Sequence, residues 1–355
     1  MKKLAIIALI CLTGCIFIED VEREGFSQED LTAPLPYNFL LQKKPIADSL
    51  LPVSYSYNIS WQISDLYEGY RGAFRIEIEN TGKHALFIYG FAINIDGEEQ
   101  KSEWDGGKEI LYGKRDTFIF SFVCPAAGEY NYRIGVYFMA KGRRWYDYGL
   151  EYIKGERQLE VKNFESASYK LYKNYYVYFD KINKLVDPYD ADIHKKTLEI
   201  TSKYGGNYNT AKMCAIFDWV YENVEYVNDT NDEWNEPSCA LYHGGDCEEF
   251  AMLMAAMVTA AGGTARVYLT DNHAFAAVYI GKDLSLLKNI DAYYNANLSY
   301  AFFEDEFGYW LVADPLATFY IGGLPVGSVV MAKDGKHYEW SILTNKLYAI
   351  DVLKE

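Results

Sequence analysis

The chain has 355 residues, half of them apolar, and 34 basic against 50 acidic side chains give a formal charge of −16. That length accommodates two domains of roughly 100–200 residues each, and the apolar and aromatic content excludes disorder over most of it. An acidic chain with no run of Lys and Arg excludes nucleic acid, whose phosphates demand a clustered basic face.

Met1-Lys2-Lys3 is a short basic start, and residues 4–12 form a compact apolar stretch. Leu12-Thr13-Gly14-Cys15 then resembles the lipobox of prokaryotic lipoproteins. The resemblance implies that residues 1–15 hold a signal peptide, that cleavage falls before Cys15, and that its sulfur carries lipid. The protein is then expected outside the cytoplasm, held at the membrane by that lipid. The rival is an uncleaved anchor, but the apolar run ends at Ile18, short of the ~20 residues a span requires. Residues 16–52 mix acids with Pro34, Pro36 and Pro45 and show no lasting period, as expected of a tether. A flexible segment of this length reaches roughly 30 Å.

From 53 to 163 the pattern is β. Residues 73–80 alternate apolar and polar and stop at the turn Asn80-Thr81-Gly82; 85–95 end at Asp96-Gly97; 117–123 end at Pro125; 129–138 follow Gly128. Short strands at such spacing predict a two-sheet, immunoglobulin-like sandwich. It holds no catalytic constellation, so an envelope protein or a glycan is its expected partner.

From 164 to 355 helices come first. Residues 166–185 and 191–204 read as helices, and 210–223 as a better one, capped by Thr210 with Met213, Ile216, Phe217, Val220 and Tyr221 on its apolar face. A helix over 247–261 closes at Gly262-Gly263. Strands are expected at 265–269, 274–280, 310–313 and 326–331. Helices followed by an antiparallel sheet give an α+β region in the order of papain-like thiol enzymes.

The chemistry centres on Gly244-Gly245-Asp246-Cys247-Glu248-Glu249. Two glycines break the backbone and a helix starts at the cysteine, where unpaired N–H groups and the macrodipole favour a thiolate. Glu248 and Glu249 suit the helix start but oppose the thiolate, so His273 must supply most of the activation. His273 opens one strand and Asp314 ends another, which suits a nucleophile, a base and an orienting acid. The backbone N–H of Cys247 would be one oxyanion donor.

This constellation resembles the transglutaminase-like superfamily of thiol enzymes. Trp234, Pro237, Leu241, Gly245-Asp246-Cys247 and Ala251 match its approach to the nucleophile, and Ala261-Gly262-Gly263-Thr264-Ala265-Arg266-Val267 the turn after it. His273 and the Trp310…Asp314-Pro315 motif then supply base and acid. The resemblance covers about 210–318 and implies a Cys247–His273–Asp314 triad, a thioester intermediate, a protein or peptide substrate, and neither cofactor nor metal. It also implies an upstream aromatic oxyanion donor, Tyr226 or, in reserve, Trp234. Three departures stand out: Phe275 where the family has Trp, Leu316 where it often has a hydroxyl residue, and an insertion over 281–309. The insertion carries Tyr293, Tyr294, Tyr300, Phe302 and Phe303, a lid or groove wall by composition, and two competing acids, Asp291 and Asp305.

Two rivals remain. Cys239, His243 and Cys247 fall four apart and suit zinc, but a fourth soft ligand is missing and the glycines break the helix between the last two. The other rival is a scaffold that has lost catalysis and binds a partner of the cell envelope. Of six cysteines, Cys11 and Cys15 belong to the leader; among Cys124, Cys214, Cys239 and Cys247, a Cys214–Cys239 bridge stays open.

Overall fold

The computed structural model describes residues 40–228, 233–334 and 337–353. The expected signal peptide, Cys15 and the tether up to residue 39 lie outside the described residues. Among those described, no helix is long and apolar enough to cross a membrane.

The N-terminal region is all strand: β1 (Gln42–Lys43), β2 (Tyr57–Ile63), β3 (Arg71–Asn80), β4 (Ala85–Ile95), β5 (Glu98–Ile110), β6 (Arg115–Val123), β7 (Gly128–Lys141), β8 (Trp145–Tyr152) and β9 (Arg157–Val161). They form an antiparallel sheet β2-β3-β6 and a second, β1-β5-β4-β7-β8, with β9 also on β7. The alternation read from residues 73–80 places Phe74, Ile76 and Ile78 inward, and Phe118 and Phe120 of β6 join them. Phe91, Ile93, Ile134 and Phe138 of the other sheet complete one shared core. The sequence reading missed β5, whose run of Glu, Lys, Gln and Asp carries no apolar signal; backbone pairing along β4 makes it a strand. Part of the expected tether is structured as well. Gln42 and Lys43 pair with Gly107 and Gly106, and Ser49 N–H donates to the Trp145 carbonyl.

The C-terminal region is mixed. It contains β10 (Lys170–Lys173), α1 (Tyr176–Leu185), α2 (Ala191–Thr201), α3 (Thr210–Asn223), α4 (Pro237–His243), α5 (Cys247–Ala260), β11 (Ala265–Leu269), β12 (Ala274–Gly281), α6 (Leu287–Tyr294), β13 (Phe302–Asp305), β14 (Gly308–Ala313), β15 (Ser328–Asp334), β16 (His337–Ile342) and β17 (Lys346–Asp351). The sheet runs β10-β17-β11-β12-β14-β13, and β15-β16 is a separate hairpin. Helix α5, buried from Phe250 to Thr259, packs on one face of β11 and β12. The other face, with Tyr268, Phe275, Trp310 and Val312, is covered by Val330 and Ile342 of the hairpin and by Tyr67 and Tyr70 of the first region.

Two local expectations are corrected. The helix expected over 166–185 begins only at Tyr176, because residues 170–173 pair in parallel with β17, a partner about 175 residues away in the chain. Helix α3 is capped by Asn209, whose side chain accepts from Lys212 N–H at 3.1 Å, while Thr210 is buried within the first turn.

Two tyrosines of the insertion pack inward against α3. Tyr293 and Tyr294 of α6 donate to the two oxygens of Asp218 on α3 at 2.9 and 2.8 Å, so buried hydroxyls clasp the insertion to the helices. Burial pushes the Asp218 carboxyl up to about 7, against the two tyrosine hydrogen bonds; nearby Glu222 adds to the rise and Arg75 opposes it. The folded state therefore holds a proton that the unfolded chain, titrating at about 3.9, releases earlier. Stability should fall as pH rises from about 4 to 7 and level off above. In Asp218→Asn this component should vanish, so thermal melts at pH 5 and 7.5 should differ less than in the wild type. Equal differences would contradict the assignment.

Candidate active site

The nucleophile position is set by backbone constraints around the double glycine. Residues 225–227 run alongside Gly245: its N–H donates to Glu225 carbonyl at 3.2 Å, and Val227 N–H to Gly245 carbonyl at 2.8 Å. Gly244 has φ +71°, and a Cβ there would lie 2.2 Å from the Glu225 carbonyl oxygen. Only glycine permits both that conformation and that approach. Asp246 then caps α5, and the Glu249 side chain returns to the Asp246 N–H at 3.1 Å, completing a capping box. Glu249 is buried and also accepts from Asn235 N–H at 2.7 Å. Its role is to fix the helix start.

Cys247 is thereby the first residue of α5, half-buried. Its Sγ donates to Glu248 Oε2 at 3.0 Å and also meets the backbone N–H of Ala274, the residue after His273. Burial, then the Glu248 carboxylate, raises the thiol well above its ordinary range. The depression expected from the helix start is thus overridden, because desolvation and a carboxylate in contact exceed a terminal partial charge. Sequence reasoning anticipated that Glu248 opposes a thiolate but missed the direct contact; adjacency at a helix start was the signal. Glu248→Gln should lower the midpoint of Cys247 alkylation by iodoacetamide by about one pH unit, readable as roughly tenfold faster labelling at pH 5.5. An unchanged profile would mean that Glu248 does not restrain the thiol.

His273 and Asp314 meet because β12 and β14 are antiparallel neighbours, with Ala276 opposite Ala313, so the start of one lies beside the end of the other. Nε2 of His273 lies 2.8 Å from Asp314 Oδ2, and both side chains are buried. Asp314 is held in turn by Val326 N–H on Oδ2 at 3.0 Å and Leu316 N–H on Oδ1 at 3.1 Å. At the Leu316 departure a backbone donor thus serves the carboxylate. With Nε2 engaged, Nδ1 is the nitrogen left for the thiol side. Phe275, fully buried, lies behind the imidazole with ring centres 6.2 Å apart and nearly parallel.

The competing acids are otherwise engaged. Asp305 accepts from Arg266 at 2.5 Å and from Trp310 Nε1 at 3.0 Å; burial alone would raise it, but the guanidinium holds it below the ordinary carboxylate range. Asp291 accepts from Tyr300 hydroxyl at 2.7 Å and Leu298 N–H at 2.9 Å. Of the two aromatic donors, Tyr226 is exposed and close enough to Cys247, Asp246 and Glu248 for their charges to add to the desolvation that raises its phenol. Trp234 stacks on Tyr178 at 6.2 Å beneath Lys181. The backbone of Tyr226 thus runs beside Gly245, two residues before the thiol, while Trp234 is engaged with α1.

Cys239 and His243 do not join Cys247. Among the described residues, the group with ligand atoms close enough for a cation is Asp246, Cys247 and Glu248, within 4.8 Å of one another. Cys239 is exposed on α4, and the four cysteines described are all free, so the Cys214–Cys239 bridge is not formed.

Residues 196–315 match the family model of the transglutaminase-like superfamily, a segment that encloses Cys247, His273 and Asp314. No curated protein matches the chain. Three solved structures are each similar to about a third of it. A structural-genomics target designated SoR45 is 12% identical, covering 33% of this chain and 98% of its own, with a TM-score of 0.25. A protein described as ApaA from Bordetella pertussis is 17% identical over 31% and 98%, with a TM-score of 0.22. The CARDB domain of a Pyrococcus furiosus protein, in complex with di-metal ions, is 11% identical over 32% and 95%, with a TM-score of 0.22.

Proposed function

We propose that this chain is a transglutaminase-like thiol hydrolase or acyltransferase acting on amide bonds of proteins or peptides. An immunoglobulin-like sandwich precedes a papain-like catalytic region, and lipid on Cys15 tethers both outside the cytoplasm. The observation that carries the reading is the buried His273–Asp314 pair, 2.8 Å apart, with Cys247 Sγ against the backbone of the very next residue, Ala274.

In this reading the thiol leaves Glu248, and Nδ1 of His273 takes its proton. The sulfur attacks the amide carbonyl, forming a C–S bond, while Asp314 keeps Nε2 engaged. The N–H of Cys247 and the Tyr226 hydroxyl stabilise the oxyanion. As the C–N bond breaks, the imidazolium returns its proton to the leaving amine. Water then releases the thioester, giving hydrolysis, or an amine does so, giving a cross-link. Hydrolysis is the simpler outcome, since among the described residues no feature marks a pocket for a second amine.

A second reading, a binding scaffold without turnover, is favoured by one observation: the thiol donates to Glu248 and is raised by it. The experiment that separates the two is the pH profile of iodoacetamide labelling at Cys247, mapped by peptide mass, in the wild type and in His273→Ala.

A further inference from the structure

Between the sandwich and the helices of the C-terminal region lies an open cleft of about 1020 Å³, lined from both sides; Cys247, His273 and Asp314 take no part in its lining. Clefts at such junctions are preferred places for small ligands. Three features of its lining specify what it would take.

The first is charge. The cleft carries many ionic side chains, and three of its four cations are paired with carboxylates; the fourth, Lys203, lies over the Tyr204 ring at 5.1 Å. Arg75 of β3 pairs with Glu222 of α3 at 2.8 Å, Lys108 with Asp116 at 2.7 Å, and Arg115 with Glu77 at 3.4 Å. An ionic ligand would have to compete with these pairs, whereas a neutral one leaves them in place. The second is the aromatic surface. Tyr204 and Tyr221 are partly exposed on the lining, each ring with a cation beside it, Lys203 at 5.1 Å and Arg75 at 5.2 Å from the ring centres.

The third is an unpaired amide. Asn295 ends α6 with φ +54°, its N–H bonded to the Asp291 carbonyl. The residue is 8% exposed and both amide atoms are buried, yet neither Oδ1 nor Nδ2 has a hydrogen-bond partner among the described residues. Buried polar atoms are nearly always paired, and leaving one unpaired costs about 1–3 kcal/mol. An acceptor and a donor side by side match a pair of hydroxyls or a second amide. An apolar occupant would satisfy neither.

We infer that this cleft is a second ligand site, for a neutral, hydroxyl-rich molecule of the saccharide class, with Asn295 as its polar anchor and Tyr204 and Tyr221 as its stacking surface. Occupancy would tie the sandwich to the helices without touching the thiol. The inference stands apart from the catalytic proposal, since its residues and its readout are different.

The test is saturation-transfer NMR and calorimetry on the full chain with maltotriose, cellotriose and tri-N-acetylchitotriose, and with trigalacturonate as an anionic contrast. Saturable binding of at least one neutral trisaccharide below about 10 mM is expected, with the anionic sugar weaker. Asn295→Gly keeps the left-handed backbone and deletes the amide, and should weaken binding at least about tenfold; Tyr204→Ala should do the same. Both variants should label at Cys247 at the wild-type rate. No binding of any neutral sugar, tighter binding of the anionic one, or full binding by Asn295→Gly would each overturn the assignment.

Discussion

In His273→Ala, alkylation of Cys247 at pH 7 is expected to slow at least about tenfold, with the midpoint moving further up from its wild-type position. The reason lies in two acceptors that compete for one thiol. Glu248 keeps the proton on sulfur, because a thiolate at 3.0 Å from its carboxylate would face a like charge in a half-buried site. His273 does the opposite, since an imidazolium formed by taking the proton is an opposite charge. Asp314 makes that transfer directional by occupying Nε2 at 2.8 Å. Removing the imidazole leaves burial and Glu248 unopposed, so the thiol should become less reactive than a free one. A midpoint unchanged by the substitution would remove the catalytic reading and leave the scaffold. The Glu248→Gln profile moves the other way, so the two variants bracket the wild type.

Arg266→Ala should lower unfolding stability by about 3–5 kcal/mol, read from urea midpoints. Arg266 is 3% exposed; its Nε reaches Asp351 at 2.5 Å, another guanidinium nitrogen reaches Asp305 at 2.5 Å, and the guanidinium carbon sits 3.7 Å from the centre of the Trp310 ring. Truncation would leave Asp305 without its guanidinium partner in a buried position and open a void over the indole. Adding Asp305→Asn should recover part of the loss, because it removes a buried carboxylate that would be left with only the longer Lys173 pair, at 3.8 Å, among the described ion pairs. The same side chain joins β11 to β17 and to the end of β13, whose neighbour β14 stops one residue before Asp314. A loss below about 1 kcal/mol would show that neighbouring groups or water compensate for the missing guanidinium.

Much of this was legible in the residues themselves. The double glycine before Cys247, the apolar run after it and the order Cys247, His273, Asp314 marked the candidate site before any contact was known. Strands such as 85–95 and 265–269 and the helix over 210–223 coincide with the structure, because an alternating or 3.6-residue apolar pattern records which face is buried.

Which groups meet was decided only in three dimensions. Residues 170–173 are helical by local preference and a strand by virtue of β17. Asp291, Asp305 and Asp314 are chemically alike, and they part only because Tyr300, Arg266 and His273 reach different ones. Tyr293 and Tyr294 of the insertion, read by composition as part of a lid or groove wall, clasp Asp218, since a buried hydroxyl takes whatever acceptor the fold presents. The thiol's first partner is Glu248 for the same reason. A sequence records the preferences of each side chain, one face at a time; the register of strands and the packing of helices choose its partners, and partners determine charge and reactivity.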